Sequence, residues 1–260
     1  MASVPQPTLP LFYNDLMPLN SRDHAKWRMT PVEGMKWIAG QHAVPVTVDE
    51  FVQVQRFCPI VFSAGSDSVP LALMGLNEGV NTFFDEDGKP TDDVYVPAYA
   101  RRYPYMLARL TPDAQELSLC FDPTFAGIGD SKKGEPLFEK DGKPAPAVTG
   151  ALEFCEKFEE AGARTQAVIA ELNKHDLLMD GEVSITANEN SDMPYIYRGF
   201  RMVNEEKLRA LDAETVKAWT NNGIMALIFA HLFSMDTMRV IFSRQVAQGK
   251  MPAQVPQGAA

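Results

Sequence analysis

The sequence predicts an α+β protein: a strand-rich mixed or antiparallel core with amphipathic and buried helices packed around it. Three observations predict it. Between residues 42 and 142 short apolar runs alternate with turns rich in Gly, Pro and Asp, the pattern of strands joined by tight connections. After Pro146 the period changes, and Leu152, Cys155, Phe158, Thr165, Val168, Ile169 and Leu172 recur at helical spacing. No regular strand–helix alternation links the two regions, which favours α+β over a wound α/β plan.

Taken in order, residues 1–20 are Pro-rich and read as an irregular arm. Thr30 and Glu33 have capping-box spacing, with Pro31 at the first helical position. Met35, Trp37 and Ile38 then continue as either a short helix or a strand. HAVPVT at 42–47 is extended. Thr47 and Glu50 form a second capping box, opening a helix with Phe51, Val54 and Phe57 on one side that stops before Pro59. IVFSA (60–64) and VPLALMGL (69–76) are partner strands about a GSDS turn. Asp87-Gly88 is a hairpin turn between Phe83-Phe84 and Val94–Val96. YMLARL (105–110) pairs with LSLCFD (117–122) across TPDAQ. PLFEKDGKPAP then repeats the aromatic–charged turn–DGKP pattern of 83–90.

The helical stripe covers 149–173, with a break near Gly162. HDLLMDGEVSITA reads as a helix end, a turn at Asp180-Gly181 and a strand, and YIYRGFRMV (195–203) as another strand. Asn204 and Asp212 are N-caps, and Gly223 separates 205–222 from an apolar helix at 224–235. Residues 21–240 thus make a single domain with a soft internal boundary near 146. Residues 241–260 are expected to be a disordered tail.

The formal net charge of −10 disfavours nucleic acid as a partner, because phosphate contacts need clustered Lys and Arg. MASVPQPTLP lacks a basic leader before an apolar run, so the expected location is cytoplasmic. IMALIFA and its short extension are too brief for an integral membrane segment and suit a buried helix. Cys58, Cys120 and Cys155 are sparse, odd in number and flanked by apolar residues, which reads as buried small hydrophobes in a reducing compartment. A homodimer is the mild expectation for such a chain.

The chain lacks GxSxG, GxGxxG and GxxxxGK[ST] patterns, so classical hydrolase, dinucleotide and P-loop sites are disfavoured. Its four histidines, His24, His42, His175 and His231, have no HxH or HExxH spacing. His231 reads as a core histidine bonded to a backbone carbonyl or Asp236, and His175 as a helix-end residue. Asp122 either rims a site or initiates the turn at Pro123. The prominent polar cluster is Arg101-Arg102-Tyr103. Two guanidiniums can clamp an anion, with Tyr103 and Tyr105 as stacking surfaces and His42 and Glu50 completing the rim. The competing reading pairs the arginines with nearby acids and buries the tyrosines.

The phrases HAVPVTVDEF, PIVFSAG, PLALMGLNEGVNTFF, YVPAYARRYPY, ELSLCFD, GEPLF, RGFRMVNEEKL and GIMALIFAHLFSM occur in this order from about residue 12 to 240. Together they resemble the SapC-like family. The family's name comes from a protein associated with a bacterial surface layer, and the resemblance implies a bacterial envelope or metabolite-processing context. It supplies no catalytic residues.

The leading expectation is therefore a non-catalytic binding or accessory protein. Its partner would be an anionic small molecule or peptide, or an envelope-associated protein, with no cofactor. The enzyme alternative is a non-heme metal-dependent oxidoreductase or hydroxylase. It needs iron or zinc held by at least two of His24, His42 and His231 with a carboxylate such as Glu50. A third reading is structural surface-layer assembly.

Overall fold

A computed structural model describes residues 9–65, 67–111, 113–186 and 194–251. The first half of the chain runs through β1 (Met17–Pro18), β2 (Trp27–Met29), β3 (Ala43–Pro45), a 3-10 turn (Val48–Glu50) entering α1 (Phe51–Val54), β4 (Ile60–Ser63) and β5 (Pro70–Leu73). Next come α2 (Ala98–Arg102), β6 (Tyr105–Ala108), β7 (Ser118–Phe121), β8 (Ile128–Asp130), β9 (Glu135–Pro136) and α3 (Pro146–Lys174). The last part holds β10 (Leu178–Ile185), β11 (Tyr195–Val203), α4 (Glu205–Arg209), α5 (Ala213–Asn222), α6 (Ile224–Ser234) and α7 (Thr237–Ala247). This is the α+β architecture the sequence predicts, with antiparallel sheets and helices packed on them.

Two compact units divide the chain. The first is Met1–Met35 with Tyr99–Glu160, and the second is Lys36–Ala98 with Ala161–Ala260. The chain changes unit near residues 35, 98 and 160, whereas the sequence placed its soft boundary near 146, where α3 begins. The first unit holds two three-stranded sheets, ordered β1-β7-β6 and β8-β2-β9. Phe121 and Leu137 are wholly buried in its core, among Tyr105, Ile128, Val148 and Cys155.

The second unit holds the five-stranded sheet β10-β11-β4-β5-β3. β3 and β5 alternate between buried and half-buried residues, and Val61, Ile185, Phe200, Met238 and Phe242 pack together. Asn204 and Asp212 cap α4 and α5, accepting from the Lys207 and Thr215 N–H groups at 3.0 and 2.9 Å. Gly223 adopts φ 88°, which turns the chain from α5 into α6.

Helix α6 is bonded to the sheet by side chains. His231 Nδ1–H donates to the Ile60 carbonyl at 2.6 Å, and its Nε2 accepts the Val203 N–H at 3.1 Å. Ser234 Oγ accepts the Ile60 N–H at 2.8 Å. β11 pairs Phe200 with Ser63 and Arg201 with Phe62, so the same register would set Val203 opposite Ile60. There the imidazole stands in for a direct ladder bond.

From Ile224 to Ala247 the chain is long and apolar enough to cross a membrane by length and composition. Yet Ile228, His231, Ser234, Met238, Ile241 and Gln245 are buried within the fold. On the outer side of α6, Phe229 and Phe233 are exposed and stacked, their centroids 5.7 Å apart.

Both DGKP turns adopt one geometry. Asp85 N–H bonds Lys89 O and Gly88 N–H bonds Asp85 O, while Glu139 N–H bonds Lys143 O and Gly142 N–H bonds Glu139 O. Each closes a single bridge, Phe84 to Pro90 and Phe138 to Pro144. Pro lacks the N–H that would extend a ladder, so Val94–Val96 are not the expected partner strand.

Four other expectations are corrected. No helix follows Thr30: its N–H bonds Gly127 O at 2.8 Å, beyond the end of β2, and Gly34 takes φ 75°. Helix α3 is unbroken at Gly162, whose cost of about 1 kcal/mol relative to Ala is spread over 29 helical residues. Asp180-Gly181 is not a turn but part of β10. Residues 241–247, expected in the tail, are the second half of α7, held by buried Ile241, Phe242 and Gln245. Residues 1–8 of the expected arm and 252–260 of the expected tail lie outside the described residues.

Gly181 is required by proximity. It pairs with Phe200 across the strands, and a Cβ there would lie 2.1 Å from Phe200 Cε2. Gly181→Ala should lower unfolding stability by about 2–3 kcal/mol, and Phe200→Leu in the same chain should recover part of the loss, read by urea denaturation.

Burial, opposed by the bond to Ile60, pulls the His231 pKa from 6.5 down to about 4. The unfolded chain then takes up its proton first as pH falls. Stability is complete above about pH 6.5, drops between there and about pH 4 by on the order of 3 kcal/mol, and levels off below. His231→Gln should remove that part of the pH dependence in denaturation curves.

Candidate functional site

In the first unit, the expected clamp is divided between surface and interior. Arg101 is exposed at the end of α2, its guanidinium 5.3 Å from the centroid of Phe154. Arg102 is only 7% exposed. Its guanidinium nests in the angle between the Tyr99 and Phe158 rings, 4.5 and 4.3 Å from their centroids, and Nη1 reaches Glu159 at 3.4 Å. Its Nε is buried without a hydrogen-bond partner among the described residues. The two neighbouring cations therefore do not face one open groove: one is packed among aromatic rings as part of the core.

The tyrosines follow the same pattern. Tyr103 and Tyr105 are buried. Tyr103 OH donates to Asp122 at 3.2 Å, and the Tyr105 carbonyl accepts from Tyr13 OH at 2.7 Å. Burial pushes both phenols up to about 12, helped at Tyr103 by the Asp122 charge. Asp122, fully buried, is the polar hub of this unit. Its carboxylate accepts from the Asn14 N–H, the Thr124 N–H and the Thr124 hydroxyl at 2.8, 2.8 and 2.7 Å. Burial is the largest single influence and raises its pKa, but the bonds from Asn14, Thr124 and Tyr103 together outweigh it and the net shift is downward.

His42 and Glu50 belong to the second unit. Glu50 Oε2 accepts the Thr47 N–H and hydroxyl, each at 2.9 Å, which is the carboxylate half of the expected capping box. Oε1 accepts the Ala98 N–H at 2.6 Å and Tyr95 OH at 3.1 Å. This buried carboxylate is engaged by donors of its own unit. The His42 carbonyl accepts from Met74 and Gly75.

The histidines do not assemble into a donor set. His24 lies in the first unit against Trp27 and Phe121, with Nδ1 at the Asn20 backbone. His231 uses both nitrogens on main chain, and His175 packs its ring edge on Trp219. Among the described residues no group of three or more His, Cys, Asp or Glu is placed to hold a metal ion. The three cysteines are buried, and burial raises the thiol pKa of each, to about 12 at Cys58 and about 11 at Cys155.

An open polar site occurs elsewhere in the second unit. A groove of about 610 Å³ is lined by Ser184, Ile185 and Thr186 at the end of β10 and by Arg239, Phe242, Ser243, Val246 and Ala247 of α7. β10 is the edge of its sheet, paired with β11 on one side and with no strand on the other among the described residues. Residues 239, 242, 243, 246 and 247 share one helical face through their i, i+3, i+4, i+7 and i+8 spacing. Buried Ile185 and Phe242 supply an apolar floor, while Arg239, Ser184, Thr186 and Ser243 are exposed.

Arg164, Arg198, Arg209 and Arg244 of this unit pair with Asp49, Glu182, Glu205 and Asp92. Arg239 makes no ion pair among the described residues. Sequence reasoning missed this site because it assigned 241–260 to a tail. The helical spacing from Arg239 to Ala247 was the available signal.

Asp122→Ala would strand several buried donors and should cost about 2–4 kcal/mol of stability. Because the folded carboxyl is depressed below its unfolded value, its contribution is present above about pH 4 and disappears as pH falls through the folded value. Acid unfolding monitored by circular dichroism should therefore be less steep at low pH in the variant.

No curated protein and no solved structure matches this chain. A family model described as SapC matches residues 19–241. That span includes the β4–β5 hairpin, the Arg102 cluster, the Asp122 hub, α6 and the first turn of α7. The chain belongs to the SapC family.

Proposed function

We propose that this protein is a non-catalytic binding or accessory protein that holds an anionic small molecule in the groove between β10 and α7. Its setting is a bacterial envelope or metabolite-processing system. Arg239 carries the reading: among the described residues, an exposed guanidinium without an ion pair lines a groove whose other polar side chains carry hydroxyls. Anion recognition, expected at Arg101–Arg102, is assigned here because Arg102 is buried and engaged. Arginine binds an anion through forked charge-assisted bonds, and the groove's volume is in the range of small-molecule sites. Membership of the SapC family supports an accessory role without supplying a reaction.

A panel of small organic anions titrated calorimetrically against the full chain tests the proposal. Arg239→Gln should weaken the best binder about tenfold, equivalent to about 1.4 kcal/mol, with the melting temperature unchanged. Ser243→Trp should fill the groove and abolish binding. Equal affinity in both variants would place the anion elsewhere.

A further inference from the structure

We infer that the ligand is a monocarboxylate carried on an apolar body, an inference that rests on the groove between β10 and α7 being the binding site. Among the described residues, Arg239 is the sole cationic side chain lining the groove and no acidic side chain lines it. Arg244, the other arginine of α7, is turned away: it lies 4.4 Å over Phe83, bonds Thr82 O and pairs with Asp92. One fixed positive charge matches a monoanion. A phosphate monoester near its second ionisation carries further negative charge, unmatched here in a chain of net charge −10.

The shape of the lining selects the rest of the molecule. Ser184, Thr186 and Ser243 offer hydroxyls. Ser243 already donates its proton to Arg239 O at 3.0 Å, leaving Ser184 and Thr186 as hydroxyl donors beside the guanidinium. Ile185, Phe242, Val246 and Ala247 make the remaining surface apolar, and Val246 is 50% exposed. A carboxylate accepts the forked guanidinium bonds, while its hydrocarbon or aromatic body covers Val246 and Ala247 and removes them from water. A small hydrophilic anion would leave that surface wet.

Octanoate, octanol and octyl phosphate, titrated against the full chain at low ionic strength, separate the terms. Octanoate should bind, octanol at least tenfold more weakly, and octyl phosphate no more tightly than octanoate. Arg239→Gln should reduce octanoate to the level of octanol, and Val246→Ser should weaken octanoate while leaving acetate unchanged. If octanol equals octanoate, or octyl phosphate exceeds it, the carboxylate assignment is overturned and the groove stands. If octanoate binds equally to wild type and Ser243→Trp, the groove itself is overturned.

Discussion

A single imidazole, bonded on both sides to main chain, holds the second unit in register. Between Ile60 and Val203 the strands β4 and β11 would otherwise leave a carbonyl and an N–H without each other, and His231 supplies a donor to one and an acceptor to the other. Only the neutral ring can do both, since a protonated ring has no acceptor nitrogen. Burial and function of the ring therefore point the same way: the site that excludes water also keeps the imidazole neutral. Ser234, one turn along α6, satisfies the Ile60 N–H. An apolar helix is thus fixed to the sheet by two polar side chains, and a one-residue slip of α6 would break all three bonds.

That fixed helix also determines where α7 lies. Two residues separate α6 from α7, and Met238 and Phe242 join Val61, Ile185 and Phe200 in the sheet-facing core. Gln245 is fully buried, accepts the Leu76 N–H at 2.6 Å and donates to Asn77. These anchors on one side of α7 leave Arg239, Ser243 and Val246 on its outer side, beside the end of β10. The groove is a consequence of how α7 is held: Ile185 and Phe242 serve both core and groove floor, while Arg239, Ser243 and Val246 lie outside the core.

The first unit solves a different problem with buried charge. Asp122 is ionised in the interior because four donors converge on it, whereas Arg102 is sheltered by two ring faces and one partly exposed carboxylate. Buried charges persist only with such compensation. In both cases the polar group organises its aromatic neighbours. The Tyr103 hydroxyl serves Asp122 while its ring packs on Tyr13 and Phe125. In the local sequence RRY, suggestive of a binding surface, Arg102 and Tyr103 are interior while Arg101 is exposed.

Much of the architecture was legible locally. The β4–β5 and β6–β7 pairs, the Thr47–Glu50 cap, the Asn204 and Asp212 caps and the turn at Gly223 all depend on neighbours a few residues apart, and short-range chemistry fixes them. The core role of His231 was legible from its apolar flanks. Other features needed distant partners. Thr30 has the same capping spacing as Thr47, but a bond to Gly127 draws it into extended structure. Gly181 resembles a turn glycine until Phe200 lies against it. Arg101 and Arg102 are adjacent and chemically identical, yet one is exposed and the other buried, because successive helical residues point about 100° apart and only Arg102 meets Tyr99 and Phe158. Sequence alone determined the fold class, the main strand pairs and the helix caps, since periodicity and capping are properties of contiguous residues. Tertiary structure decided which cation is exposed and which is buried, since exposure depends on what the rest of the chain packs against each side chain.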